Sequence, residues 1–455
     1  MSSSTTQGRD RSQVGATDAL GNGQPPRPPS ERGSEQLVEG RAPSPSTRLK
    51  VAYVMSRFPK LTETFILYEI VALEKMGVAT ELYPLLRERQ SCTHPEADSL
   101  VERAHYFPFV SWPIIRSQLS LLRRKPLTYL GALWAVLRGT WGSLNFFVGA
   151  LAIFPKVAHA ALRMEEEGVT HVHCHFANHP AAAGFVIHRL VGIPYSFTAH
   201  GTDLHVERRM LPQKVEEAAF VRAISEFNRD LILDECGGRW SEKLVLLHCG
   251  VDTSLFRPPD PPQTMSSETR LEILCVGTLY EVKGQTHLIE ACRLLAEQGV
   301  DFVCHLVGDG PDEAKLRAQV EAAGLGERVV FTGPQPRAEV ARLMRSADVL
   351  VLPSVGDSQG RREGIPVCLM EAMSCGVPVL ASRMTGIPEL VKDGQTGVLV
   401  PPGDPVQLAN ALAGLHSDPP LRLRLGAAGR ETILRGFDLD ANTEELAALF
   451  AAPPR

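Results

Sequence analysis

Between residues 271 and 381 short apolar runs of strand length alternate with amphipathic stretches of helix length, and this alternation restricts the fold more than any other feature of the chain. Residues 271–276, 302–307, 329–331, 349–352 and 377–381 read as strands, and 287–297, 312–323, 338–345 and 367–374 read as helices. A strand, a crossing helix and a second strand close right-handedly into a parallel sheet. Earlier in the chain, 49–55, 169–175, 194–199 and 243–247 are also strand-like. The first is followed by a helical stretch through Phe65, Leu67, Ile70, Val71 and Leu73 that ends near Gly77. Pro258, Pro259, Pro261 and Pro262 separate the two series, because proline continues neither a helix nor a central strand. The expected architecture is α/β, with two Rossmann-like lobes whose parallel sheets face an interdomain cleft.

This places the first lobe at 48–256, a linker at 257–270, the second lobe at 271–432, and a terminal helix at 433–455 crossing back to the first lobe. Residues 1–47 are rich in Ser, Gly, Pro, Gln and Arg with almost no aliphatic run, the composition of a disordered tail. A net charge of −5 over 455 residues argues against a general nucleic-acid binder. The nine cysteines form no CxxC pair and read as buried free thiols of a reducing compartment. The N-terminus has no apolar leader, and no uninterrupted apolar run reaches the roughly 18 residues of a spanning helix. A cytoplasmic location is expected.

Residues 103–164 stand apart. They hold eight Lys or Arg and no Asp or Glu, interleaved with Trp112, Trp134, Trp141, Phe146 and Phe147. Two readings fit: buried helices with a solvated basic face, or a peripheral surface resting on the inner face of an anionic membrane.

The chemistry concentrates at Glu363-Gly364-Ile365-Pro366-Val367-Cys368-Leu369-Met370-Glu371. Pro366 suits the first position of a helix, where its missing N–H costs nothing. That helix aims its free amides at the crevice beyond the strand ends, where open α/β sheets bind ligands. Glu363 precedes the helix and Glu371 lies within it. Carboxylates in these places can accept paired hydrogen bonds from vicinal hydroxyls.

Two glutamates spaced in this way, in EGIPVCLMEAMSCGVPVLAS, resemble the signature of the retaining glycosyltransferase family 4, whose fold is GT-B. The blocks SRFPKLTETFILYEI, FTAHGTDL and HCGVDTSLF are similar to those of its colanic-acid and exopolysaccharide-type members, from about Leu49 to Phe437. The resemblance implies a metal-independent, cofactor-free transfer of sugar from a nucleotide-sugar donor to a saccharide or lipid-linked acceptor. It implies that Glu363 meets the transferred sugar, Glu371 the ribose, and backbone amides near Gly364 and Ile365 the sugar or phosphate oxygens. Lys283 matches the diphosphate-binding lysine, with Thr278 and Pro366 beside it on the donor side. His200 would face the donor sugar from the first lobe, with Arg57 and His175 on the acceptor side. Thr278 stands where the family carries an arginine, and a hydroxyl cannot supply a guanidinium's paired grip on phosphate. Arg361 and Arg362 are the candidate substitutes, or an exposed loop pair. His171, His173 and His175 share one face of a strand, but no carboxylate or thiolate at typical spacing completes a metal site. Other readings on the same architecture are a sugar-nucleotide epimerase or hydrolase, and a non-catalytic sugar-nucleotide-binding partner protein.

Overall fold

The computed structural model describes residues 49–60, 63–88, 95–261 and 269–453. The expected tail at 1–47 and the centre of the expected linker, 262–268, lie outside them.

Two six-stranded sheets form the frame, and every pairing within them is parallel. The first contains β1 (Lys50–Val54), β2 (Ala79–Leu82), β3 (His171–His175), β4 (Tyr195–Ala199), β5 (Phe220–Ala223) and β6 (Leu244–Leu246), in the order β2-β1-β3-β4-β5-β6. The second contains β7 (Leu271–Val276), β8 (Phe302–Val307), β9 (Val329–Gly333), β10 (Val349–Leu352), β11 (Val379–Ser382) and β12 (Val398–Val400), in the order β9-β8-β7-β10-β11-β12. The order reverses between β1 and β3 in one sheet and between β7 and β10 in the other. Loops leaving neighbouring strands part there and open a crevice.

Strands β2, β5 and β12 were not among the expected elements. Ala79–Leu82 alternates half-buried and buried residues, and Val398–Val400 has only three residues, so neither makes a long apolar run. Phe220–Ala223 is fully buried, but Arg222 interrupts its apolar pattern.

Helices cover both sheets. In the first lobe α1 (Thr64–Lys75) buries Ile66, Leu67, Ile70 and Leu73. Then α2 (Trp112–Arg124), α3 (Pro126–Thr140) and α4 (Leu144–Glu166) pack on one another. Among the described residues, α4 is long and apolar enough to cross a membrane by length and composition, although Asn145 and Lys156 interrupt its apolar run. Phe154, Val157, Ala158, Ala161 and Met164 on α4 instead belong to the first lobe's core. In the second lobe α5 (Arg337–Ser346) follows β9 and α6 (Val367–Ser374) follows β10. Next, α7 (Pro419–Gly436) packs on α6, and α8 (Leu439–Ala451) packs on α1, with Leu439, Leu446 and Phe450 in the first lobe's core. The chain therefore returns to the first lobe after residue 436. The eight cysteines among the described residues are free and buried.

Candidate active site

A cavity of about 390 Å³ lies between the facing strand ends of the two sheets. The segments after β1, β3, β4, β5 and β6 line it from one side, and those after β7, β8, β9 and β10 from the other. At its base the lobes approach backbone to backbone. A Cβ added to Gly364 would stand 2.5 Å from the carbonyl oxygen of His200, so glycine is the residue that admits this contact.

The wall from the second lobe is charged. Lys283 closes a short turn, Glu281–Lys283, held by Gly284 at φ +72°, where an added Cβ would strike the Pro353 carbonyl at the end of β10. Its Nζ reaches Glu363 Oε1 at 2.8 Å, and both side chains are partly exposed to the cavity. Burial would lower the Lys283 pKa, but the Glu363 carboxylate more than offsets it, so the ammonium stays charged above the ordinary lysine range. Glu371 is 8% exposed and lines the cavity from within α6. Burial pushes its carboxyl up to about 7, and Arg337 opposes the shift.

Gly364, Ile365, Pro366 and Thr278 also line the cavity. Pro366 is the residue capping α6 rather than its first helical residue; its ψ of 129° is extended, so the helix begins one position later. Of the two arginines proposed to compensate for Thr278, Arg361 is tied to Asp357 at 2.5 Å and stacks over Tyr280, whereas Arg362 lines the cavity.

Two side chains at the lobe boundary have no counterpart in the sequence reading. Arg337, the first residue of α5, lines the cavity, stands 3.6 Å over the Tyr68 ring of α1 and pairs with Asp252 at 3.3 Å. Nothing in Pro336-Arg337-Ala338 marks it; only the meeting of the lobes gives it neighbours. Glu389 accepts from the amides of Glu226 and Phe227 at 2.6 and 2.8 Å, so the second lobe caps helix Glu226–Glu235 of the first.

Beside His200 the wall from the first lobe is aromatic, while Lys60 and Glu63 also line the cavity from this side. Phe65 and Phe176 flank His200, with ring centroids 4.5 and 4.8 Å from its imidazole. Phe176 has φ +81°, a strained value for a bulky residue, which brings its ring into the wall directly after β3. Asp203 fixes the neighbouring loops by accepting from the amides of Ala177 at 2.6 Å, Gly201 at 2.7 Å and His200 at 3.1 Å. Burial, aided by the Arg222 guanidinium, holds the His200 pKa well below the usual histidine value, so its ring is neutral at pH 7.

The two residues expected on the acceptor side lie elsewhere. His175 is fully buried behind His200 because β3 is an interior strand whose every residue is covered. Arg57 sits outside the cavity, paired with Glu88 at 2.8 Å. The same sequence block reaches the cavity through Lys60, Glu63, Thr64 and Phe65 instead.

The histidine triplet also differs from its spacing-based reading. Glu69, more than 100 residues before His173, brings a carboxylate into the group, and one ligand atom from each of Glu69, His173 and His175 lies within 4.8 Å of the others. Their atoms are already engaged. His173 bonds Ser196 at 2.8 Å and Thr198 at 2.9 Å, and Glu69 pairs with the buried Arg222. A guanidinium on that carboxylate competes with a metal cation for the same charge.

Two parallel α/β lobes facing each other across a cleft, with cations and carboxylates at the strand ends of the second, make the GT-B fold. HepE from Anabaena, crystallised with UDP, shares this fold with a TM-score of 0.66 at 20% identity, over 89% of this chain and 99% of that one. In sequence, residues 256–432 match the Glycosyl transferases group 1 family and residues 135–255 match Glycosyltransferase Family 4. A colanic acid biosynthesis glycosyltransferase of Escherichia coli (strain K12), WcaL, is 32% identical over 428 residues, 89% of this chain and 100% of that one. The amylovoran biosynthesis glycosyltransferase AmsK of Erwinia amylovora is 28% identical over 380 residues, 81% of this chain and 90% of that one. The chain belongs to this glycosyltransferase family.

Proposed function

We propose that the protein transfers a sugar from a nucleotide-sugar donor to a saccharide or lipid-linked acceptor in exopolysaccharide or cell-envelope glycan synthesis, with retention of anomeric configuration and without a metal ion. The Lys283–Glu363 pair, 2.8 Å apart at the start of α6 and opposite His200, carries this reading. Lys283 and Arg362 would neutralise the departing diphosphate, the task a divalent cation performs elsewhere. Glu371 would accept hydrogen bonds from the ribose hydroxyls, and Glu363 would orient the sugar. No side chain need attack the sugar: in a front-face transfer the leaving phosphate takes the acceptor's proton, and the protein supplies positioning and charge. UDP in HepE and the polysaccharide pathways named for WcaL and AmsK support the donor and acceptor classes.

The acceptor would arrive at the cytosolic face of the membrane. The basic segment supports this by carrying a second apolar stripe on each of three helices: Trp112, Ile115, Leu119 and Leu122 on α2, Leu127, Leu130 and Trp134 on α3, and Leu144, Val148 and Leu151 on α4, all exposed. Trp112, Trp134 and Trp141 are 72%, 66% and 73% exposed. Arg116, Arg123, Arg124 and Arg138 are exposed beside them, so the face suits an anionic leaflet.

Incubation with a panel of UDP-, GDP-, dTDP- and ADP-linked hexoses and a lipid extract as acceptor tests the reading, with product configuration read by NMR and EDTA added in parallel. One donor yielding an enlarged product of unchanged anomeric configuration, insensitive to EDTA, is expected. An inverted product, or loss of turnover in EDTA, contradicts it. Flotation with phosphatidylglycerol vesicles tests the membrane face: the full chain should float, and replacing the three tryptophans by serine should abolish flotation.

A further inference from the structure

Behind His200 a chain of buried polar groups runs into the first lobe. His200 Nε2 lies 2.9 Å from His175 Nδ1, and His175 Nε2 lies 3.2 Å from Glu69 Oε1. Glu69 also accepts from the Tyr53 hydroxyl at 2.9 Å and pairs with Arg222. The other two nitrogens of Arg222 donate to the carbonyls of Leu247 and His248, at 2.8 and 2.6 Å. His175, Glu69, Tyr53 and Arg222 are all buried.

The hydrogen bonds of this chain have one consistent direction. Burial alone would raise the Glu69 pKa, but the Arg222 guanidinium and the hydrogen bond from His175 hold it well below the usual range, so the carboxylate only accepts. His175 must therefore donate through Nε2–H. Arg222 already neutralises Glu69, so a second, imidazolium charge on His175 would be an uncompensated buried cation. The cluster balances its charge when the His175 ring carries only the Nε2 proton; Nδ1 is then a lone pair, to which His200 donates through Nε2–H. The proton on one ring nitrogen of a neutral imidazole fixes the other as an acceptor. Among the described residues His200 Nδ1 has no hydrogen-bond partner, and the ring lines the cavity.

We infer that Glu69 and His175 are positioning residues that lock His200 in the tautomer presenting an unprotonated Nδ1 to the cleft, so that the first lobe accepts a hydrogen bond from a hydroxyl of the donor sugar. This role rests on the reading that His200 faces the donor; the tautomer itself does not. A hydroxyl donating to Nδ1 keeps electron density on its oxygen as positive charge develops on the sugar ring. A protonated Nδ1 would oppose that charge.

The test is nitrogen-15 NMR of the histidine-labelled full chain at pH 7, with the His200 signals assigned by a His200→Gln variant, alongside kinetics with the donor identified by the hexose panel. His200 Nδ1 should resonate as an unprotonated nitrogen and Nε2 as a protonated one. Glu69→Gln should mix the two tautomers and lower kcat about 10- to 100-fold, the range for residues that orient a working group, with the donor KM little changed. His175→Gln, which can still donate to Glu69 and accept from His200, should keep most of the turnover that His175→Phe loses. A protonated Nδ1 in the unaltered protein overturns the relay whatever the variants do, and needs no variant to fold. An unprotonated Nδ1 with full turnover in both Glu69→Gln and His200→Gln overturns the assigned role and, separately, the reading that His200 meets the donor.

Discussion

The two walls of the cleft rise from sheets of equal size and the same parallel sense, yet they carry charge differently. In the second lobe Lys283, Glu363 and Arg362 stand at the cavity surface, and only Glu371 is buried. In the first lobe Lys60 and Glu63 reach the cavity already paired with each other at 2.6 Å, Glu69 and Arg222 are withdrawn into the core, and the wall beside His200 is aromatic. The strand ends explain the contrast. After β10 a loop and a capped helix bring charged side chains directly to the crevice. After β3 and β4, fully buried strands leave room for one imidazole, and its supporting charges lie behind it. A charge at a surface acts on a ligand by contact, whereas a buried charge acts through the group it orients.

If that division is right, removing cations from the second lobe costs most. Lys283→Ala should reduce turnover by about 100- to 1000-fold, as expected when one charge-stabilising donor is lost. Glu363→Ala should lower transfer more than nucleotide affinity, as steady-state kinetics and calorimetry together would show. A small loss for both would mean the charged wall is not where phosphate sits. His200→Ala should then lower kcat about 10- to 100-fold, the scale of one lost hydrogen bond to a reacting group, while leaving nucleoside diphosphate affinity within about threefold. Loss of nucleotide binding in that variant would break the contrast between the walls.

Glu371 gives a pH signature. Its carboxyl titrates at about 7 in the unliganded protein, and ribose hydroxyls favour its ionised form. Nucleotide binding at pH 6 should therefore release close to one proton and weaken about tenfold per pH unit below 7, with neither effect at pH 8. Calorimetry in buffers of different ionisation enthalpy reads this directly, and Glu371→Gln should abolish it. The smallest effect concerns the join between the lobes. Glu389→Ala removes the acceptor on the first two amides of helix Glu226–Glu235, while Ser225 still caps Asn228, and should cost about 1 kcal/mol, seen as a lower Tm.

The same contrast explains how much could be read beforehand. The second lobe's site lies on one contiguous motif, so Glu363, Gly364, Ile365, Pro366 and Glu371 were all visible as cavity residues, and Lys283 as their neighbour. The first lobe's site is assembled from β1, α1, β3, β4 and β5. His175 shows its alternation in the sequence, but not that Glu69 meets it from a distant element, itself paired with Arg222. Arg337 and Glu389 act across the lobe boundary, which no local pattern encodes. Strand β5 was missed for a related reason: its buried arginine makes sense only once Glu69 supplies the opposite charge.

The central claim is that the charged wall holds the nucleotide while the aromatic wall faces the sugar. A crystal structure with the nucleoside diphosphate bound tests it most directly. It should find the diphosphate on Lys283, the ribose hydroxyls on Glu371, and the terminal phosphate directed toward His200. A nucleotide bound against Phe65 and Phe176, with Lys283 still paired only to Glu363, would contradict it.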